Sequence, residues 1–147
     1  MIVYEGQRSI FDSDADTLVC PVNCEGVMGK GLALPFKERC GGLFEAYRKA
    51  CLSGEIQPGV LWLWVPKEGP KVLCFPTKDR WSQPSKRLYI ESGLKTLVEY
   101  HREMGINKIA IPPLGCGNGQ LDYHHCVKPL LVEYLASIDL AVELIYI

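Results

Sequence analysis

The chain has 147 residues, 48% of them hydrophobic and 22% charged, which is the composition of a folded protein rather than a disordered one. That length suits one domain with a buried core, so we expect residues 1–147 to form a single domain. The formal net charge of -1 excludes a strongly basic surface, so any nucleic acid must be held by local contacts.

Targeting signals are absent from the sequence pattern. No apolar run reaches the roughly 18 residues of a membrane span, and the amino-terminal segment lacks a signal-peptide core. We therefore expect a cytoplasmic protein without membrane contact. The seven cysteines include no Cys-x-x-Cys pair and no zinc-site spacing, which predicts reduced, mostly buried thiols and neither a metal nor another cofactor.

Short apolar runs alternate with helical patterns along the chain. Most runs are continuously apolar, which is typical of parallel strands that helices cover on both faces. The alternation predicts a three-layer α/β/α sandwich around a mixed, largely parallel sheet. The predicted strands are Ile2–Tyr4, Thr17–Val22, Val60–Val65, Lys71–Phe75, Lys108–Ile111 and Leu140–Ile147, and the predicted helices are Leu32–Cys40, Gly42–Ser53, Lys86–Glu103 and Tyr123–Ala136.

Two of the strands lead into glycine-rich loops, and parallel sheets bind ligands at the carboxyl ends of their strands. In the first loop, Asn23–Gly31, glycines let main-chain N–H groups approach a ligand, although the spacing fits neither a P-loop nor a dinucleotide fingerprint. The third loop, Pro112–Gln120, has alternating glycines, and a nest of backbone N–H groups binds anions. Each loop alone is compatible with a simple turn, but together they predict a clamp on a two-phosphate group.

The middle loop, Thr77–Pro84, supplies side-chain chemistry. Trp81 could stack on a base, worth about 1–3 kcal/mol, or could simply cover the edge of the core. Lys78 should stand at the mouth of the cleft, and a nucleophilic role needs its pKa to fall from about 10.4. We expect burial and Arg80 to lower that pKa and Asp79 to raise it. A protonated Lys78 would instead stabilise negative charge, and the sequence leaves both roles open.

Three segments together, "DADTLVCPVNCEGVMGKGLALPFKE", "FPTKDRW" and "IAIPPLGCGNGQLDY", resemble the macrodomain family of ADP-ribose-binding folds. The resemblance covers essentially the whole chain and is greatest to the DarG-type branch, antitoxins whose toxin partners ADP-ribosylate DNA. It implies hydrolysis of the N-glycosidic bond between ADP-ribose and a nucleobase, above all thymine in single-stranded DNA. It also implies a cognate toxin as partner, bound through a region outside this chain. The alternatives are a module that binds ADP-ribose without turnover, or a hydrolase of free ADP-ribose derivatives or of ADP-ribosylated protein.

The resemblance also implies roles for single residues. Asn23 matches the asparagine that holds the distal ribose, and Lys78 matches the lysine regarded as catalytic. Ser9 stands where many macrodomains have an adenine-reading aspartate, so the main chain of Ser9 and Ile10 is expected to take that role. Gly119 replaces an aspartate of the protein-directed branch, which favours DNA as the substrate. The expected ADP-ribose-binding residues are Ser9, Ile10, Asn23, Gly29, Lys30, Gly31, Leu32, Thr77, Pro113, Gly115, Cys116, Gly117, Asn118 and Gly119, and the expected DNA-binding residues are Trp81, Lys86 and Arg87.

Overall fold

The computed structural model describes residues 1–146 and is built around one six-stranded sheet. Helices α1 (Ala33–Arg39) and α2 (Leu43–Leu52) pack on one face of this sheet, and helices α3 (Arg87–Tyr100) and α4 (Lys128–Leu135) pack on the other. The strands are β1 (Ile2–Gln7), β2 (Thr17–Val22), β3 (Trp62–Trp64), β4 (Lys71–Pro76), β5 (Lys108–Ile111) and β6 (Ala141–Tyr146).

The strands lie in the order β1-β6-β5-β2-β4-β3. All neighbours pair in parallel except β3, which runs antiparallel to β4 at one edge. This arrangement confirms the predicted α/β fold with a mixed, largely parallel sheet. Because β2 lies between β4 and β5, the loops that follow these three strands leave the same edge of the sheet side by side.

Successive residues of the buried strands enter two different cores. On β2, Val19 packs with α3 and α4, whereas Leu18 and Cys20 pack with α1 and α2. This period of two is what a strand covered on both faces requires. Cys20 and Cys74 are buried and the other five cysteines are half-buried, so fewer thiols lie in the core than the sequence suggested. All seven are free thiols, as expected.

Element boundaries differ from the predicted ones where local chemistry changes the backbone. The predicted helix Tyr123–Ala136 begins with one π-helical turn, Tyr123–Val127, before α4 starts next to Pro129, which has no N–H to donate. The last predicted strand is observed as Ala141–Tyr146, and its final residue, Ile147, lies outside the described residues. No helix within residues 1–146 is long and apolar enough to cross a membrane.

Candidate functional site

A cavity of about 830 Å³ lies beyond the carboxyl ends of β2, β4 and β5. Its walls come from the first loop with the start of α1, from the middle loop, and from the third loop. Small-molecule sites commonly enclose about 300–1,000 Å³, so the volume suits a ligand of nucleotide size. The three loops singled out from the sequence therefore surround one cavity.

Most of the expected site residues line this cavity. Lys78, Trp81 and all the expected ADP-ribose residues other than Ser9 and Ile10 are on its wall. The Ile10 side chain is 1% exposed and belongs to the core, while Ser9 Oγ accepts a hydrogen bond from Phe11 N within a 3-10 turn. The structure does not bring these two residues to the cavity. Val27 and Pro112 also line the cavity, from within the two predicted glycine loops, and the lining residues that the sequence did not indicate are Pro21, Val22, Ala33, Pro35 and Ser85.

Asn23 shapes the first loop from within. Its Oδ1 accepts hydrogen bonds from Glu25 N at 3.0 Å and from the buried Tyr47 hydroxyl at 2.9 Å, while its Nδ2 donates to Val27 O at 2.8 Å. The residue is only 6% exposed. The sequence suggested an amide that holds a ligand hydroxyl, but most of its hydrogen-bonding capacity fixes the loop, and the second Nδ2 hydrogen is what a ligand can use.

The glycines of the third loop have different structural causes. Gly115 has a φ of 72°, and a Cβ there would lie 2.8 Å from Leu121 Cδ1, so both backbone and packing require glycine. Gly117 has a φ of 65° but open space where a Cβ would stand. At Gly119 a Cβ would lie 2.9 Å from Ser85 Cβ, so an aspartate at this position would require Ser85 to move.

The first and third loops meet across the cavity. A Cβ at Gly31 would lie 3.1 Å from Asn118 Nδ2, and Gly31 itself has a φ of 58°. Gly29, in contrast, has no positive φ, and the nearest atom to a Cβ there is Val27 Cγ1 at 3.9 Å. The two glycine loops are thus close enough to contact one ligand together, and Gly29 and Gly117 leave open space beside their main chain.

Lys78 is half-buried in the cavity wall and its Nζ donates a hydrogen bond to Trp81 O at 3.4 Å. Burial lowers the pKa of Lys78, and the positive charge of Lys30 lowers that pKa further. The sequence had named Arg80 as the like charge and Asp79 as an opposing influence on this pKa. The structure corrects both predictions, because the charged group that lowers the pKa of Lys78 is Lys30, from the first loop.

Trp81 is half-exposed at the rim of the cavity. The Lys30 Nζ lies 5.7 Å from the centre of the indole ring, which is within reach of a cation–π interaction. Lys86 and Arg87 do not line the cavity; they lie just beyond it at the start of α3. Arg87 pairs with Glu91 at 3.6 Å, and its side chain is 62% exposed.

Metal-binding side chains do not converge in the part of the chain that the structure describes. No group of three or more histidine, cysteine, aspartate or glutamate residues within residues 1–146 is arranged to hold a metal ion. The titratable groups on the cavity wall are instead two lysines, Lys30 and Lys78, and the thiol of Cys116. Burial raises the pKa of Cys116 to about 11, so this thiol is protonated at neutral pH.

Comparisons with known proteins agree on one family. The family model "Macro domain" matches residues 19–130. The DNA ADP-ribosyl glycohydrolase of Mycobacterium tuberculosis is 44% identical over 137 residues, which cover 91% of this chain and 39% of that protein. A DNA ADP-ribosyl transferase-DNA ADP-ribosyl glycohydrolase fusion protein of Thermosipho africanus is 34% identical, with 94% of this chain and 40% of that protein covered. The chain thus spans about two fifths of the length of these curated relatives.

Comparison with solved structures indicates the same family. The macrodomain of Mycobacterium tuberculosis DarG superposes with a TM-score of 0.88 at 42% identity, covering 99% of this chain and 97% of that one. Thermosipho africanus DarTG in complex with ADP-ribose superposes with a TM-score of 0.90 at 33% identity, covering 95% of this chain and 40% of that one.

Proposed function

This chain belongs to the macrodomain family, and we propose that it hydrolyses the N-glycosidic bond between ADP-ribose and a nucleobase, foremost thymine in single-stranded DNA. One observation carries the proposal: a half-buried lysine shares the wall of an 830 Å³ cavity with two facing glycine loops. The loops suit a diphosphate, and the lysine suits chemistry on the group attached to it. The relatives named DNA ADP-ribosyl glycohydrolase support the same reaction.

In this proposal the diphosphate lies between the first and third loops. Gly29 and Gly117 line the cavity and leave the space of a Cβ open, so a phosphate oxygen can approach their main chain. The distal ribose then lies toward Asn23 and Lys78, at the junction of the first and middle loops. The remaining lining residues of these loops close the walls around the ligand.

Lys78 is the residue we assign to catalysis. In neutral form its amine would attack the anomeric carbon of the distal ribose as the bond to the base breaks; the base would leave with the proton that the amine gives up, and water would then cleave the lysine–ribose bond to release ADP-ribose. In protonated form it would instead stabilise the charge that develops on the departing base while water attacks the anomeric carbon. The two roles differ in the sign of their pH dependence: the rate rises with pH through the Lys78 pKa in the first case and falls in the second.

DNA would reach this lysine along the rim at Trp81. The indole is half-exposed and aromatic faces stack on bases without sequence preference. Lys86 and Arg87, just outside the cavity at the start of α3, are the proposed contacts to the phosphate backbone. Because a DNA substrate lies in the cytoplasm of a bacterium, we propose that compartment, and a DNA-modifying transferase toxin as the cognate partner.

The decisive experiment offers two substrates to the protein. One is a single-stranded oligonucleotide that carries ADP-ribose on thymine, and the other is an ADP-ribosylated protein. We expect release of free ADP-ribose from the oligonucleotide at a much higher rate than from the protein. Equal rates, or faster release from protein, would contradict the DNA assignment; binding of ADP-ribose without release from either substrate would make the chain a reader.

A further inference from the structure

We propose that Glu25 is a positioning residue for this reaction, because its carboxylate holds the main chain of Trp81, which carries the indole at the rim and the oxygen that accepts the long hydrogen bond from Lys78 Nζ. The proposal rests on the proposed function and adds to it a residue of the first loop that does not line the cavity. Glu25 is exposed, and among residues 1–146 no lysine or arginine forms an ion pair with it. Within residues 1–146 its side chain makes one hydrogen bond, and that bond reaches the middle loop.

Hydrogen bonds between the first and middle loops continue the pairing of β2 with β4. The first two are between main-chain groups: Thr77 N donates to Val22 O at 3.2 Å, and Cys24 N donates to Asp79 O at 2.8 Å. After Asp79 this main-chain pairing ends. The next link, two residues later, is made by a side chain, since Trp81 N donates to Glu25 Oε1 at 2.8 Å.

Trp81 is the point where this link affects the site. Its N–H is held by Glu25, and its carbonyl oxygen accepts the hydrogen bond from Lys78 Nζ at 3.4 Å. The carboxylate therefore fixes the backbone that carries both the indole at the rim and the acceptor of the lysine amine. An ionised acceptor makes this bond shorter and stronger than a neutral one would be.

Glu25 is itself anchored to the core. Its N–H donates to Asn23 Oδ1 at 3.0 Å, and the same oxygen accepts a hydrogen bond from the hydroxyl of Tyr47, which is fully buried on α2. A continuous series of hydrogen bonds thus leads from the core through the first loop to Trp81. Reacting groups must be held close to their productive geometry, and small displacements cost rate even when binding is intact.

The test compares Glu25→Ala with Glu25→Gln, whose amide oxygen can still accept the bond from Trp81 N. For Glu25→Ala we expect kcat on the ADP-ribosylated oligonucleotide to fall about tenfold or more, while the Kd for free ADP-ribose changes less than about twofold. Glu25→Gln should keep kcat within about threefold of the wild type, because a neutral acceptor retains the geometry. The matched control is Glu55→Ala, because Glu55 is an exposed glutamate whose side chain has no hydrogen-bond or ion-pair partner in residues 1–146.

Hydrogen exchange at the Trp81 amide, followed by NMR, reports the bond directly and needs no substrate. We expect Glu25→Ala to accelerate that exchange about tenfold or more and Glu25→Gln to leave most of the protection. Unchanged exchange and kcat in Glu25→Ala would overturn the proposal, and so would an equal loss in both variants. If the wild-type protein releases no ADP-ribose from DNA, the proposed function fails, and the exchange measurement still decides whether Glu25 holds Trp81.

Discussion

Replacing Lys78 with alanine separates the chemistry of the site from its affinity and from the stability of the fold. The Lys78 side chain is half-buried and makes one long hydrogen bond, at 3.4 Å to Trp81 O. Losing such a bond costs about 0.5 kcal/mol or less, and removal of a partly desolvated charge offsets part of that cost. For a chain of this length we therefore expect the melting temperature to move by only about 1–2 °C.

The expected effect on rate is much larger. A group that attacks the anomeric carbon or stabilises the departing base acts in the transition state, so its loss should reduce kcat at least about a hundredfold, or about 2.7 kcal/mol. Free ADP-ribose should bind within about threefold of the wild-type affinity, because main-chain N–H groups are proposed to hold the diphosphate. Lys78→Ala should therefore lower kcat strongly while the affinity for ADP-ribose and the melting temperature change little.

Single-turnover release of ADP-ribose from the modified oligonucleotide measures the chemistry, calorimetry measures affinity, and a thermal melt measures stability. Lys49→Ala, an exposed lysine on α2, is the control for removing a positive charge. Turnover that survives in Lys78→Ala would refute the catalytic assignment. A loss of affinity equal to the loss of rate would show that Lys78 holds the ligand, and the reader function would then be favoured.

Four further substitutions probe the surroundings of Lys78. Lys30→Gln removes a like charge, so the pKa of Lys78 should rise and the pH–rate profile should shift to higher pH; an unchanged profile would exclude Lys30 as a tuning residue. Trp81→Ala should lower activity on oligonucleotides more than the affinity for free ADP-ribose measured by calorimetry, and equal losses would make the indole structural. Gly29→Val should weaken ADP-ribose binding about tenfold or more without lowering the melting temperature, since a Cβ there meets nothing closer than 3.9 Å. Gly119→Val should lower the melting temperature as well, because its Cβ would collide with the loop before α3.

The strands were predictable because their signal is local. The bounds of β2 and β5 agree with the predicted runs Thr17–Val22 and Lys108–Ile111, where the apolar sequence is continuous between polar or proline-rich flanks. The order of the strands was not predictable in the same way, since it depends on pairing between distant segments. β1 also extends beyond its predicted end to Gln7, because pairing with β6 continues there through residues that are not apolar.

The site was predictable as loops but not as contacts. Glycine content identified the first and third loops, and the position after a buried strand identified Lys78. The influence of Lys30 on Lys78 joins residues of different loops, and so does the bond between Glu25 and Trp81. No spacing in the sequence encodes such pairs. The bonds of Asn23 to the loop and to Tyr47 were not predictable either, because they form only on folding; its ligand-binding role stays a prediction.

The position of β2 between β4 and β5 has a consequence for the proposed function. The two glycine loops follow β2 and β5, while the loop with Lys78 and Trp81 follows β4, so the proposed diphosphate contacts and the proposed catalytic lysine are carried by different strands. Under the proposed function, substitutions in the loop after β4 would change the modified target while leaving the proposed backbone contacts to ADP-ribose in place. The hydrogen bond from Trp81 N to Glu25 Oε1 is the feature of that loop that such changes would have to keep.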